Sequence, residues 1–234
     1  MAVVAVLCVA AGLTMWWSSH DRAPDAFPVA SVQGAQADRS ASVDPGLAQV
    51  IRSSVVLIDS TGCGESRQGT TTVIDQSDGP VALTNQHVVA GADEAEFSDV
   101  DGRRLDLPVR HRVTDRDAVQ LDADALVDAG VEPLAVGPRP IVGSAVMVAG
   151  FPSGGFQAAT GRIERVERRH GYGGTVDMLI IDVEAIPGIS GGVVVDGDGR
   201  AVGLVAARDP ESGDTVAYPL DTLSGGVQDP VLSC

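Results

Sequence analysis

Two series of short apolar segments, separated by a proline-interrupted stretch, constrain this chain more than any other feature of its 234 residues. The first series covers residues 54–59, 70–75, 80–84, 105–113 and 118–121, and the second covers 144–149, 157–166, 176–183, 192–195, 201–207 and 215–218. Each segment is bounded by Gly, Asp or Ser and reads as a strand. Asp196-Gly197-Asp198-Gly199 is a hairpin turn, because Gly tolerates the positive backbone angles such turns require. Residues 122–143, with Pro133, Pro138 and Pro140, read as a connection between lobes. Aromatics are 3% of the chain against 44% hydrophobic residues, so the core must be built from Val, Ala, Leu and Ile. The expected fold is all-β: two sets of about six antiparallel strands, closed as barrels or packed as sandwiches, over about 53–121 and about 144–223. A short helix is expected just before them, over 46–52.

Residues 1–17 form an apolar run without a charged side chain, ending in Trp16-Trp17. An N-terminal position and paired interfacial Trp point to a membrane helix at 1–19, an uncleaved signal anchor in preference to a cleaved signal peptide. Residues 20–44, rich in Ser, Ala, Pro, Asp and Gln and without periodicity, read as a flexible stalk, and 45–234 as the folded domain. That domain is expected outside the cytoplasm, either held at the cell membrane by a single span or secreted. In an oxidising compartment Cys63 and Cys234 can pair, a bridge worth about 5 kcal/mol in the chain-entropy account. The formal net charge of −16 argues against a nucleic-acid partner, which needs a basic face.

Nucleophilic serine chemistry needs a hydroxyl, an imidazole to take its proton, a carboxylate to orient the imidazole, and N–H groups aimed at the developing oxyanion. Ser190, in Pro187-Gly188-Ile189-Ser190-Gly191-Gly192, sits where glycines let the backbone turn tightly. The N–H groups of Gly188 and Ser190 would form the oxyanion hole. The same residues satisfy the G-x-S-x-G elbow of α/β-hydrolases, but that fold places its histidine after the serine, and all four histidines here precede Ser190. His87 ends an apolar strand, and Asp117, with Asp115 as the fallback, begins another.

Thr84-Asn85-Gln86-His87-Val88-Val89 resembles the catalytic-histidine signature of the HtrA/Deg-like branch of the trypsin-like serine peptidases, and Asp117-Ala118-Val119-Gln120-Leu121 resembles its aspartate strand. Gly150-Phe151-Pro152-Ser153-Gly154, Gly199-Arg200-Ala201-Val202-Gly203-Leu204-Val205 and Ala217-Tyr218-Pro219-Leu220 extend the resemblance over about 47–223. The anchor, stalk and distal cysteines are most similar to the membrane-anchored periplasmic serine proteases of actinobacteria. The chain stops about a dozen residues after the last family strand, so no PDZ domain is expected. The resemblance implies a chymotrypsin/trypsin-like pair of barrels and an endopeptidase acting on exported or cell-envelope proteins. His87, Asp117 and Ser190 would be its triad, with no metal or organic cofactor. Glu184, Ala185 and the segment Val205 to Asp209, with Val205, Ala206 and Ala207 foremost, would border the pocket for the residue before the scissile bond. The sequence departs from the family at Ile189, where Asn or Asp is usual, and at Gly69-Thr70-Thr71, where Gly-Ser/Thr-Gly is usual. Ile189 supports the alternative of a catalytically silent peptidase fold that binds or senses partners at the envelope; the three groups in family order oppose it.

Overall fold

Asp44 accepts a hydrogen bond from the Gly46 N–H at 2.8 Å, and Pro45 takes the first helical position, where its missing N–H is no loss. Helix α1 (Pro45–Arg52) follows and buries Ile51. The computed structural model describes residues 44–92, 94–99, 101–108, 111–113, 116–171 and 174–223. The expected membrane helix at 1–19, all but the end of the stalk at 20–44, Asp115 and Cys234 lie outside the described residues. Among the described residues no helix is long and apolar enough to cross a membrane.

The first lobe contains β1 (Val55–Gly62), β2 (Glu65–Gln76), β3 (Gly79–Thr84), the one-turn helix α2 (Gln86–Val89), β4 (Glu94–Ser98), β5 (Arg104–Pro108), β6 (His111–Val113) and β7 (Val119–Asp122). Its antiparallel strands run in the order β5-β4-β1-β2-β3-β7-β6. The expected connection is partly structured. After α3 (Asp124–Asp128), β8 (Leu134–Ala135) pairs in parallel with β2, and Val136 bridges to Ala201 in the second lobe. The second lobe comprises β9 (Ala145–Gly150), β10 (Gln157–Gly171), β11 (Gly174–Glu184), β12 (Val193–Val195), β13 (Ala201–Arg208) and β14 (Asp214–Pro219). These six strands form a closed barrel, β10-β11-β14-β13-β12-β9.

The closed barrel of the second lobe meets the expectation for that lobe. Among the described residues the hydrogen-bonded path of the first lobe does not return on itself. Its ends are β5, which alternates Arg104 and Asp106 with leucines and ends in a proline that has no N–H, and the three-residue β6; charge, proline and shortness all suit an edge.

Most strands are apolar on both faces because each faces two cores. In β1, Val56 and Ile58 point into the first lobe, while Val55 and Leu57 join a seam shared with the second. In β9, Val146 and Val148 point into the barrel, while Met147 and Ala149 enter that seam. Burying each Val or Leu side chain stabilises by roughly 1.5–3 kcal/mol, so the side chains shared across the seam add to the hold between the lobes.

Candidate active site

Helix α2 is a single turn anchored by its buried Val88 and Val89, which leaves the intervening surface to His87. The His87 side chain is 44% exposed. Asn85 occupies the cap position without capping the helix. Its Nδ2 instead donates to the main-chain oxygen of Asp117 at 2.7 Å, tying the histidine turn to the start of β7. Asp117 then meets His87 twice. Its Oδ1 accepts the His87 main-chain N–H at 3.0 Å, and its Oδ2 lies 2.6 Å from Nδ1. A carboxylate that only accepts would place the proton on Nδ1 and turn the Nε2 lone pair toward a nucleophile. The Asp117 N–H reaches the second lobe, donating to the Tyr218 hydroxyl at 3.4 Å.

Ser190 lies on the loop between β11 and β12, and its main chain is locked against β2. Thr70 N–H donates to the Ser190 carbonyl at 2.8 Å. A Cβ on Gly69 would fall 2.8 Å from Val88 and 3.1 Å from that same carbonyl, so only glycine lets β2 pass between the histidine helix and the serine loop. Gly191 has φ +81°, and a Cβ there would lie 2.0 Å from the Thr70 oxygen. Gly188 has φ +94°, with the Phe151 oxygen 2.8 Å from where a Cβ would stand.

The orientation of the loop peptides follows from their carbonyls. Pro187 O accepts from Ser153 N at 2.9 Å, and Ile189 O accepts from Gly192 N at 2.8 Å. In a trans peptide the N–H points opposite to the C=O. The N–H groups of Gly188 and Ser190 are thereby turned away from those partners, and among the described residues neither donates to a protein acceptor. Ile189, 8% exposed, packs into the core of the second lobe, so the loop is braced by apolar contact where the family pattern has a polar side chain. Among the described residues Ser190 Oγ makes no hydrogen bond to His87. Such contacts often lengthen without substrate and tighten in the reacting complex.

Of the other residues expected at the site, Glu184 and Ala207 are exposed, and Glu184 lies 3.8 Å from Arg208. Ala185 and Ala206 are buried. Val205 places its side chain in the barrel interior, in the same cluster as Ile189, and its backbone meets the loop, accepting from Gly191 N at 2.9 Å and donating to Gly192 O at 2.8 Å. Beyond them, Asp209 is almost wholly buried. The Ser212 backbone N–H and the Arg169 guanidinium hold its carboxyl well below the usual carboxylate range. It thus pins the turn between β13 and β14 to β10. Sequence reasoning met Thr70, Asn85 and Tyr218 inside family-like motifs and Asp209 at the end of the pocket-bordering segment, without assigning these contacts to any of them. Among the described residues no cluster of side chains is suited to a metal ion.

Residues 69–204 match the family described as "Trypsin-like peptidase domain". The chain is 32% identical over 162 residues to the putative serine protease HhoA of Synechocystis, covering 66% of this chain and 40% of that protein. It is 33% identical over 156 residues to the mitochondrial protease Do-like 4 of Arabidopsis thaliana, covering 62% of this chain and 29% of that one. The alignments thus span less than half the length of these relatives. Among solved structures, the active form of the Rv3671c protease from M. tuberculosis superposes with a TM-score of 0.65 at 25% identity, covering 86% of this chain and 96% of that one. The HtrA-type protease AlgW, as its S-to-A variant with a tripeptide, superposes with a TM-score of 0.60 at 25% identity, covering 75% and 59%. With the histidine turn, the aspartate strand and the glycine-bounded serine loop all inside or beside the matched segment, the chain belongs to the trypsin-like peptidase domain family.

Proposed function

We propose that this protein is a serine endopeptidase that hydrolyses peptide bonds of exported or cell-envelope proteins. The observation that carries the reading is the double contact between Asp117 and His87, 3.0 Å and 2.6 Å, which leaves Nε2 as the base. In the proposed reaction His87 Nε2 takes the Ser190 proton as Oγ attacks the substrate carbonyl carbon. The carbonyl electron pair moves to oxygen, where the N–H groups of Gly188 and Ser190 receive the negative charge. Collapse of that intermediate breaks the C–N bond, His87 gives the proton to the leaving amine, and an acyl-enzyme remains on Ser190. Water, deprotonated by the same imidazole, then releases the acid and restores the serine. Asp117 keeps the imidazole in one tautomer and stabilises its cationic form. No step calls for a metal or organic cofactor.

Glu184, Ala185, Ala206 and Ala207, with the Val205 backbone, are proposed to border the specificity pocket. A membrane-held location outside the cytoplasm and a Cys63–Cys234 bridge belong to the same proposal, supported by the sequence pattern. The missing Ser190–His87 hydrogen bond favours the rival reading, a silent fold that binds envelope partners. Cleavage of an unfolded protein by the full chain separates the two. Turnover is expected, and Ser190→Ala should reduce it by about 10⁴-fold or more. A folded wild-type chain without turnover, or a Ser190→Ala variant with wild-type turnover, would overturn the peptidase reading.

A further inference from the structure

We infer that the Thr70 hydroxyl is a positioning group for the oxyanion-binding peptides, supplying from the first lobe the polar brace that Ile189 has no atom to supply. This rests on Ser190 being the nucleophile. Thr70 is completely buried on β2, and its single hydroxyl is used in both directions. It donates to the Gly188 carbonyl at 2.9 Å and accepts the Phe151 N–H at 2.9 Å. A hydroxyl has one proton, so both roles are filled without conflict.

The location matters more than the number of bonds. The N–H that would bind the oxyanion belongs to the peptide before Gly188, and that peptide turns by rotation about bonds on either side of it. Glycine at φ +94° has no Cβ to oppose such a rotation. The preceding carbonyl, Pro187 O, is held by Ser153 N, and the following one, Gly188 O, by Thr70 Oγ1. Releasing the second hold frees one side of Gly188, one of the two loop residues whose N–H groups would bind the oxyanion. Thr70 also reaches the same loop through its main chain, donating to Ser190 O, and two residues along the strand Thr72 Oγ1 donates to Gly191 O at 2.9 Å. Three contacts from one strand therefore grip the carbonyls of Gly188, Ser190 and Gly191; the Thr70 hydroxyl holds the peptide that follows the Gly188 donor, and the Thr70 N–H holds the peptide that follows the Ser190 donor. A Cβ on Gly150 would lie 2.8 Å from Thr70 Oγ1, so glycine there gives the hydroxyl its room. The neighbouring Thr71 is equally buried on β2, yet its hydroxyl has no partner, which makes it a matched control.

The test compares the full chain with Thr70→Val, which keeps the shape and removes the hydroxyl, Thr70→Ser, which keeps the hydroxyl, and Thr71→Val. The readouts are kcat and KM on a peptide substrate and the affinity of a peptide boronic acid, whose tetrahedral adduct places an oxygen in the hole. Thr70→Val is expected to lower kcat and boronate affinity by about 10²-fold each, the order seen when an oxyanion donor is lost. KM should stay within about threefold, since ground-state binding is not altered. Thr70→Ser should recover most of the loss, and Thr71→Val should match wild type. If Thr70→Val does not fold, Thr70→Ala, whose smaller side chain admits a water to the orphaned groups, carries the same comparison. Wild-type kcat and boronate affinity in the hydroxyl-free variant, a loss confined to KM, or no recovery with serine would overturn the inference while leaving the nucleophile reading intact. A wild-type chain that neither turns over nor binds the boronate would overturn both.

Discussion

The two halves of the site are held by different kinds of contact. His87 and Asp117 meet through side chains within the first lobe, with Asn85 adding a third side chain to the pair. The nucleophile loop belongs to the second lobe and is held mainly through its main chain, its carbonyls engaged by Thr70, Thr72 and Ser153. The difference has a physical reason. In the proposed mechanism the base needs one tautomer and one ring orientation, which a carboxylate enforces directly. The proposed oxyanion donors are backbone N–H groups, which can be aimed only by fixing the peptides that carry them.

The largest effect is expected where a side chain alone sets the chemistry. Asp117→Asn should lower kcat/KM near neutral pH by about 10⁴-fold, because the amide no longer holds the Nδ1–H tautomer. A loss below tenfold would show that something other than Asp117 orients the ring. On the loop side, Gly191→Ala should cost stability as well as activity. Its Cβ would stand 2.0 Å from the Thr70 oxygen at φ +81°, and strain plus overpacking should total about 3 kcal/mol or more in chemical denaturation. Gly155→Ala, in open space with extended backbone, should stay within about 0.5 kcal/mol of wild type. Equal effects at the two glycines would contradict the account of a loop fixed by close approach.

The smallest effect concerns Asp209. Its carboxyl is depressed in the folded state, so its contribution is complete above the ordinary aspartate pKa of about 3.9 and is lost only as pH falls through the lowered folded value. Asp209→Asn should therefore lower the thermal midpoint by a nearly constant few degrees from about pH 5 to 7, with the two proteins converging in strong acid. A gap that widens as pH falls would reverse the assigned sign.

The same contrast explains what could be read from sequence. His87 and the apolar runs of β1 and β9 were legible because side chains carry the information. Ser190 was legible through its glycines, although the motif alone also fitted another fold. Strand β4 was passed over because Glu94 and Glu96 hide the apolar pair Ala95 and Phe97 in a five-residue segment. Thr70 and Tyr218 read as ordinary strand residues, since nothing in a β-branched or aromatic side chain announces a bond to another lobe's backbone.

The central claim is that Ser190 is a nucleophile activated by the His87–Asp117 pair. The most direct measurement is peptide mapping of the folded full chain after reaction with a fluorophosphonate, beside Asp117→Asn and Ser190→Ala. The account predicts one adduct, on Ser190, formed at least about 10²-fold more slowly in Asp117→Asn and absent in Ser190→Ala. An adduct on another residue, or labelling of Ser190 at an unchanged rate without the Asp117 carboxylate, would contradict it.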